Sequence, residues 1–392
     1  MKFKSLTIAT LALFAGAAHA QSSVTLYGLI DAGVAYTNSV KTPTGGASEF
    51  QMASGLVSTS RWGLRGSEDL GGGLHAVFQL ENGFMVNNGT FKNGGDEFGR
   101  QAWVGLSSDK FGTLTMGRQY DFTVDYVQAL SATGSGWGGN LAAHPFDNDN
   151  MDNDQRLNNS VKFSSATYAG FQVGAMYAFS NDAGQFSNNN AYAFGARYAN
   201  GPITAAASYL QINRSPTAQN LTGAASTGDS DWLAYGGEQQ IWTAAAQYKF
   251  ANNASVGVVY SHSVTYDIGN NGSPSLLGNS APLVGGSMKF DNFEINGRYF
   301  VRPDFSLGAA YTYTMGAFSG GPGYAAADPH WNQVTVQADY LLSRSTDIYL
   351  MGVYQHVAGG NGNQAFNAGV YNMTQSSGNT QVVAAVGMRH RF

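Results

Sequence analysis

The chain has 392 residues, including 51 Gly, 23 Phe, 21 Tyr and no Cys, and only 11% of it is Asp, Glu, Lys or Arg, less than half of the ~25% usual in soluble proteins. Gly weakens helices and aromatics suit a pleated surface, so the composition excludes an all-helical fold. The lack of Cys removes disulfide scaffolds, thiolate catalysis and Cys-held metal centres, and a net charge of −5 argues against a nucleic-acid partner, which needs a basic face.

In chain order, residues 1–20 read as a secretory signal: Lys2 and Lys4, an apolar stretch from Leu6 to Ala18, and Ala18-His19-Ala20 as a small-residue cleavage site. The mature chain then begins at Gln21 and loses two lysines, leaving 18 basic against 25 acidic residues and a net charge of −7. No later run of eighteen apolar residues occurs, so a membrane crossing has to use strands. From here the period is two. Val334, Val336, Ala338 and Tyr340 alternate with Thr335, Gln337 and Asp339, and Trp242, Ala244, Ala246, Tyr248 and Phe250 alternate with Thr243, Gln247 and Lys249. Sixteen strands are predicted, at 23–38, 57–66, 73–84, 97–107, 112–120, 157–164, 170–180, 191–199, 202–213, 239–250, 254–266, 287–300, 304–316, 331–342, 346–358 and 380–392. Short connectors alternate with long ones rich in Gly, Asn and Ser, at 39–56, 85–96, 121–156, 181–190, 214–238, 267–286, 317–330 and 359–379. An even strand count with short turns at one end and long loops at the other defines an all-β fold, a 16-stranded antiparallel transmembrane β-barrel over 21–392. A β-sandwich or propeller would also alternate, but the apolar faces here end repeatedly in Tyr, Trp or Phe, as interfacial girdles do. Sixteen tilted strands give a diameter of about 32 Å, too wide for side chains to fill, so the lumen holds water.

Several segments carry a resemblance. SVTLYGLIDAGV (23–34), SRWGLRGSEDLGGGLHAVFQLENGF (60–84), GRQAWVGLSSDKFGTLTMGRQYD (99–121) and the terminal VGMRHRF (386–392) together resemble the general diffusion porins of Gram-negative outer membranes, the betaproteobacterial type in particular. The resemblance implies a homotrimer seated among outer-membrane lipid and lipopolysaccharide, passive diffusion of ions and small hydrophilic solutes, and a third long loop, 121–156, folded into the lumen as a constriction. It places a basic wall at Arg61, Arg65, Arg100 and Arg156, with Lys162 on the same face as Arg156. Alternation agrees, since Arg61, Gly63 and Arg65 oppose Trp62 and Leu64. It places facing carboxylates on the loop, here Asp121 and Asp125 in the first leg and Asp147, Asp149, Asp152 and Asp154 in the return. The loop tip departs from the pattern, reading GSGWGGN (134–140) where related porins carry an acidic tip such as PEFFGGD, which leaves the sign of ion selectivity open. Phe392 corresponds to the terminal aromatic that serves as assembly signal.

Other motifs are weaker. GSGWGG fits G-x-G-x-x-G, but no βαβ unit surrounds it and Pro145 follows, so it reads as a flexible loop tip with one aromatic anchor. The run DNDNMDND (147–154) offers four carboxylates to Ca²⁺ but lacks the Gly and terminal Glu of an EF-hand loop; whether it binds calcium stays open. No cofactor or resident metal is expected. Seven dispersed His and no G-x-S-x-G or H-E-x-x-H motif argue against an enzyme. A substrate-specific channel and a loop-based adhesin remain as alternatives to a general pore.

Overall fold

The computed structural model describes residues 23–214, 220–225, 236–268, 275–276, 282–283 and 285–392, and the expected signal segment lies outside the described residues. One antiparallel sheet closes on itself. Its strands are β1 (Ser23–Thr42), β2 (Gly45–Ser54), β3 (Arg61–Gly71), β4 (Leu74–Gly83), β5 (Gln101–Ser108), β6 (Gly112–Gln119), β7 (Leu157–Ser165), β8 (Phe171–Ala178), β9 (Asn190–Asn200), β10 (Ile203–Asn213), β11 (Glu238–Lys249), β12 (Ser255–Tyr266), β13 (Ser287–Arg302), β14 (Phe305–Phe318), β15 (His330–Leu341), β16 (Thr346–Ala358) and β17 (Thr380–Arg391). A two-residue hairpin, Ser275–Leu276 with Pro282–Leu283, stands apart from the wall.

Seventeen segments fill sixteen wall positions, because β2 and β3 share one. β2 pairs with the loop-end half of β1, from Ala32 to Thr42, and β3 pairs with the other half, from Ser23 to Leu29. The ring closes where β17 meets the opposite edge of β1, Leu29 facing Arg391 through Thr37 facing Val383. Phe392 completes the seam by exchanging backbone bonds with Gly28 of 3.1 and 3.0 Å, and its ring stays half exposed on the outer face.

Most predicted strands agree with the structure to within a few residues, and the exception is informative. The span 39–56, read from sequence as a loop, is instead the end of β1, a tight turn at Pro43 and Thr44, and β2. Its alternation is genuine, with Phe50 and Met52 pointing outward at 76% and 55% exposure, but Gly, Ser and Thr disguise it. The predicted strand 57–66 starts only at Arg61, because residues 55–60 leave the sheet and fold inward. Leu56 and Val57 are buried there, and the Asp31 carboxylate accepts the amides of Val57 (3.1 Å) and Ser58 (2.7 Å).

The barrel is apolar outside and polar inside. On β15, Val334 and Val336 are exposed while Gln333, Thr335 and Gln337 are buried, the alternation expected when lipid faces one side. The inner face also carries apolar regions; in one of them Met176, Leu210, Ile241 and Val259 pack with Phe122, Tyr126, Val127 and Leu130 of the segment joining β6 to β7. That segment runs inside the barrel. Phe122 lies so close to the wall that a Cβ on Gly174 or Gly195 would come within 2.2 or 2.5 Å of it, so only Gly fits at these points of β8 and β9. Burying one such aromatic contributes about 2–3 kcal/mol to docking.

Candidate functional site

Each element around the lumen delivers its charge for a local reason. Strand parity turns Arg61, Gly63 and Arg65 of β3 inward, and the missing side chain at Gly63 leaves room for Tyr27 of β1, whose hydroxyl would lie 2.8 Å from a Cβ there. Arg65 stacks on that Tyr27 ring at 5.3 Å. The Tyr27 hydroxyl donates to Glu81 of β4 (2.9 Å), and the same carboxylate accepts Arg100 Nε at 2.7 Å and has Arg61 Nε at 3.9 Å. Arg100 and Arg156 both lie over the Tyr120 ring, at 5.8 and 5.3 Å, and both reach Asn153 Oδ1 of the inner segment, at 3.4 and 3.1 Å.

The four arginines therefore form one strip, but with two characters. Arg100 and Arg156 are buried and tie wall to loop, whereas Arg61 keeps 31% of its side chain exposed and Arg65 is exposed. Lys162 stands apart, paired with Asp125 at 2.8 Å and donating to the Tyr120 carbonyl at 2.9 Å.

Most loop carboxylates do not face the arginines as the sequence reading sets them. Asp121 is buried and accepts the Thr123 amide and the Asn150 side chain (2.7 Å). Asp147 accepts the amides of Asp152 (2.7 Å) and Asp154 (3.2 Å). Asp149 bonds His144 Nδ1 at 2.6 Å and accepts the Ser261 hydroxyl. The cause is the backbone: Phe146, Asp147, Asn150 and Asn153 adopt φ of 65, 48, 60 and 61°, so the return leg coils tightly and turns its amides onto its own carboxylates. The acidic run does not gather its oxygens around one point, and among the described residues no group of His, Asp and Glu is arranged to hold a metal ion. Burial, with Asp154, Asp152 and Asp149 nearby, holds the Asp147 carboxyl well above its ordinary range, and burial with Asp154 does the same to Asp152. Burial also raises Asp121.

The tip is pinned, contrary to a free loop end. Trp137 is buried against Gly308 of β14, the Gly138 amide donates to Gln337 Oε1 at 2.6 Å, and Asn140 donates to the Gly55 carbonyl at 2.7 Å. Gly139, at φ +57, lies against Val57 so closely that a Cβ would come within 1.9 Å of its carbonyl oxygen. The inward fold at 55–60 is thus the socket for the tip. Further back, Glu294 of β13 accepts the Ala132 amide at 2.9 Å and faces His144 Nε2 at 3.2 Å. An opening of about 250 Å³ remains between Arg61, Glu81, Arg100 and Tyr120 on one side and Gln128, Thr133, Asn140 and Asp152 on the other. Glu81 escapes the motif comparison although its parity with Gln79, opposite Phe78 and Leu80, marks it as lumenal. The pairing of His144 with Glu294 spans 150 positions and leaves no local signal.

A closed barrel with an apolar outside, a polar inside and a charged aqueous gap beside its own inner loop is a transmembrane diffusion channel. Comparison with known proteins narrows the class. A family model for Gram-negative porins matches residues 7–360. The chain is 34% identical over 429 aligned positions to an outer membrane porin protein of Bordetella pertussis, and 31% identical over 409 to outer membrane porin protein 32 of Delftia acidovorans, in both cases covering 100% of each chain. In fold it is similar to the anion-selective porin from Comamonas acidovorans (TM-score 0.70, 23% identity, 95% of this chain and 100% of that one) and to OmpT of Vibrio cholerae in its trimer form (0.61, 16%, 95% and 99%). The chain belongs to the Gram-negative porin family and forms an outer-membrane channel for passive diffusion.

Proposed function

We propose that ions and small hydrophilic solutes pass between the Arg61, Glu81 and Arg100 wall and the inner segment, and that the passage weakly favours anions. The carrying observation is the unequal use of charge. Asp121 and Asp147 are engaged by amides of the segment, Asp149 by His144 and Asp125 by Lys162, which leaves Asp152 bordering the gap, while Arg61 keeps 31% of its side chain exposed and Arg65 is exposed. Fixed charges across a narrow gap order the water within it and disfavour apolar molecules, which cannot replace that water. The protein acts as a homotrimer, exported by a signal at 1–20 that is then removed; the trimer form of the Vibrio neighbour supports the assembly. No chemical transformation is needed for this work.

Excision of 131–140, with the ends rejoined, tests the route. It raises single-channel conductance in planar bilayers and admits larger sugars in liposome swelling, with the trimer band on unheated gels unchanged. Wild-type conductance in intact trimers would show that solutes do not pass this segment.

A further inference from the structure

Arg389 of β17 points into the barrel and is 2% exposed. Its Nε donates to both carboxylate oxygens of its cross-strand neighbour Asp347, at 3.3 and 3.0 Å. Its Nη2 lies 3.0 Å from Asp347 and 3.5 Å from Asp339. These contacts place the charge on the wall and satisfy it there. Two further bonds leave the wall: Nη1 donates to Ser58 Oγ at 3.0 Å and Nη2 to the Gly136 carbonyl at 3.3 Å. Ser58 belongs to the inward fold at 55–60 and Gly136 to the tip of the inner segment, and both border the aqueous gap.

We propose that Arg389 is a positioning residue for the constriction, clamping the loop tip to the inward fold and so setting the width of the passage. The proposal rests on the reading that this segment narrows the route. A guanidinium suits the task because its five donors diverge in one plane, so a single side chain can serve two carboxylates, a hydroxyl and a carbonyl together. Arg298 supports the arrangement from β13, 3.7 Å from the shared Asp339 and bonded through Nε to Ser306 at 3.0 Å. Closure of the barrel does not need the outward bonds, since Asp347 and Asp339 already satisfy the charge.

Arg389→Lys separates the two roles. An ammonium keeps the charge beside Asp347 and Asp339 but cannot span all four partners. Trimers form normally, while open-channel noise rises several-fold, brief closures appear and larger sugars enter liposomes faster. The chain has no Cys, so a Thr59→Cys/Asn140→Cys pair, replacing side chains whose polar atoms lie 3.4 Å apart, provides an independent clamp. Oxidising it in the Arg389→Lys background restores wild-type noise, and reduction abolishes the rescue. If Arg389→Lys fails to assemble, Arg389→Gln with Asp347→Asn carries the same test, leaving Asp339 to Arg298. Intact trimers with wild-type noise and sugar permeability would overturn the proposal. Excision of 131–140 in parallel distinguishes the two failures: if excision widens the channel and the Arg389 variants do not, only the clamp falls, and if neither changes conductance the constriction reading falls with it.

Discussion

Glu81 shows how one side chain changes the electrostatics of a wall. Placed between Arg61 and Arg100, it offsets part of their charge, so the arginines nearer to water, Arg61 and Arg65, dominate what a passing ion meets. Replacing both by Gln moves the reversal potential toward cations, and Glu81→Gln moves it toward anions. The expected size is on the order of 10 mV, against the ~59 mV that a tenfold gradient sets for a perfectly selective monovalent channel. Equal potentials in all three proteins would mean that the route avoids this wall. Arg100 and Arg156 behave differently, since both are buried and hold Asn153. That Arg61 and Arg65 face the lumen was legible from parity, because a strand turns alternate residues to one face, whereas Arg100 and Arg156 stand just before β5 and β7 and were marked chiefly by the resemblance. The division of the four into exposed and tethered pairs was not legible, because it depends on a loop that coils back upon them.

The inner segment is held to the wall by an apolar leg around Phe122, by the pinned tip, and by His144 in between. Burial disfavours an imidazolium, but Asp149 at 2.6 Å and Glu294 at 3.2 Å overcome it and push the His144 pKa up to about 10. A raised folded-state pKa contributes stability fully below the ordinary His value of ~6.5, and that stability is lost as pH rises through about 10, a contribution on the order of a few kcal/mol. Asp149, held below the ordinary carboxylate range by His144 in spite of burial, keeps its contribution until pH falls below that range. Channel noise should therefore be lowest below about pH 6.5 and rise as pH climbs through about 10. His144→Gln, which cannot supply a charge, should show the noisy state already at pH 7; a bilayer record of that variant indistinguishable from wild type would contradict the assignment. At this scale the sequence was only partly readable. On β10 the inward face ends in Leu210 and Ile212, buried against the inner segment, but Thr204 and Ser208 on that face keep the ordinary lumenal pattern, so the covered stretch is only weakly marked. The alternation of β2 is hidden by its small residues, and the socket at 55–60 depends on contacts with the tip more than eighty positions later, for which no local pattern exists.

Across the whole molecule, the architecture follows from solvent. Lipid outside and water inside impose a period of two on every wall strand, and that period with the rhythm of short and long connectors carried the barrel and its sixteen positions. Composition could not locate the aqueous route, because the inner segment covers much of the lumenal face and leaves the opening beside β3 to β6. Solutes are proposed to pass through that opening. With no Cys in the chain, Gln128→Cys places a single thiol on its loop side, and single-channel recording during modification with a bulky thiol reagent tests the claim directly. Conductance is expected to fall in three equal steps per trimer, one for each protomer modified. Complete modification by mass with conductance unchanged would contradict it.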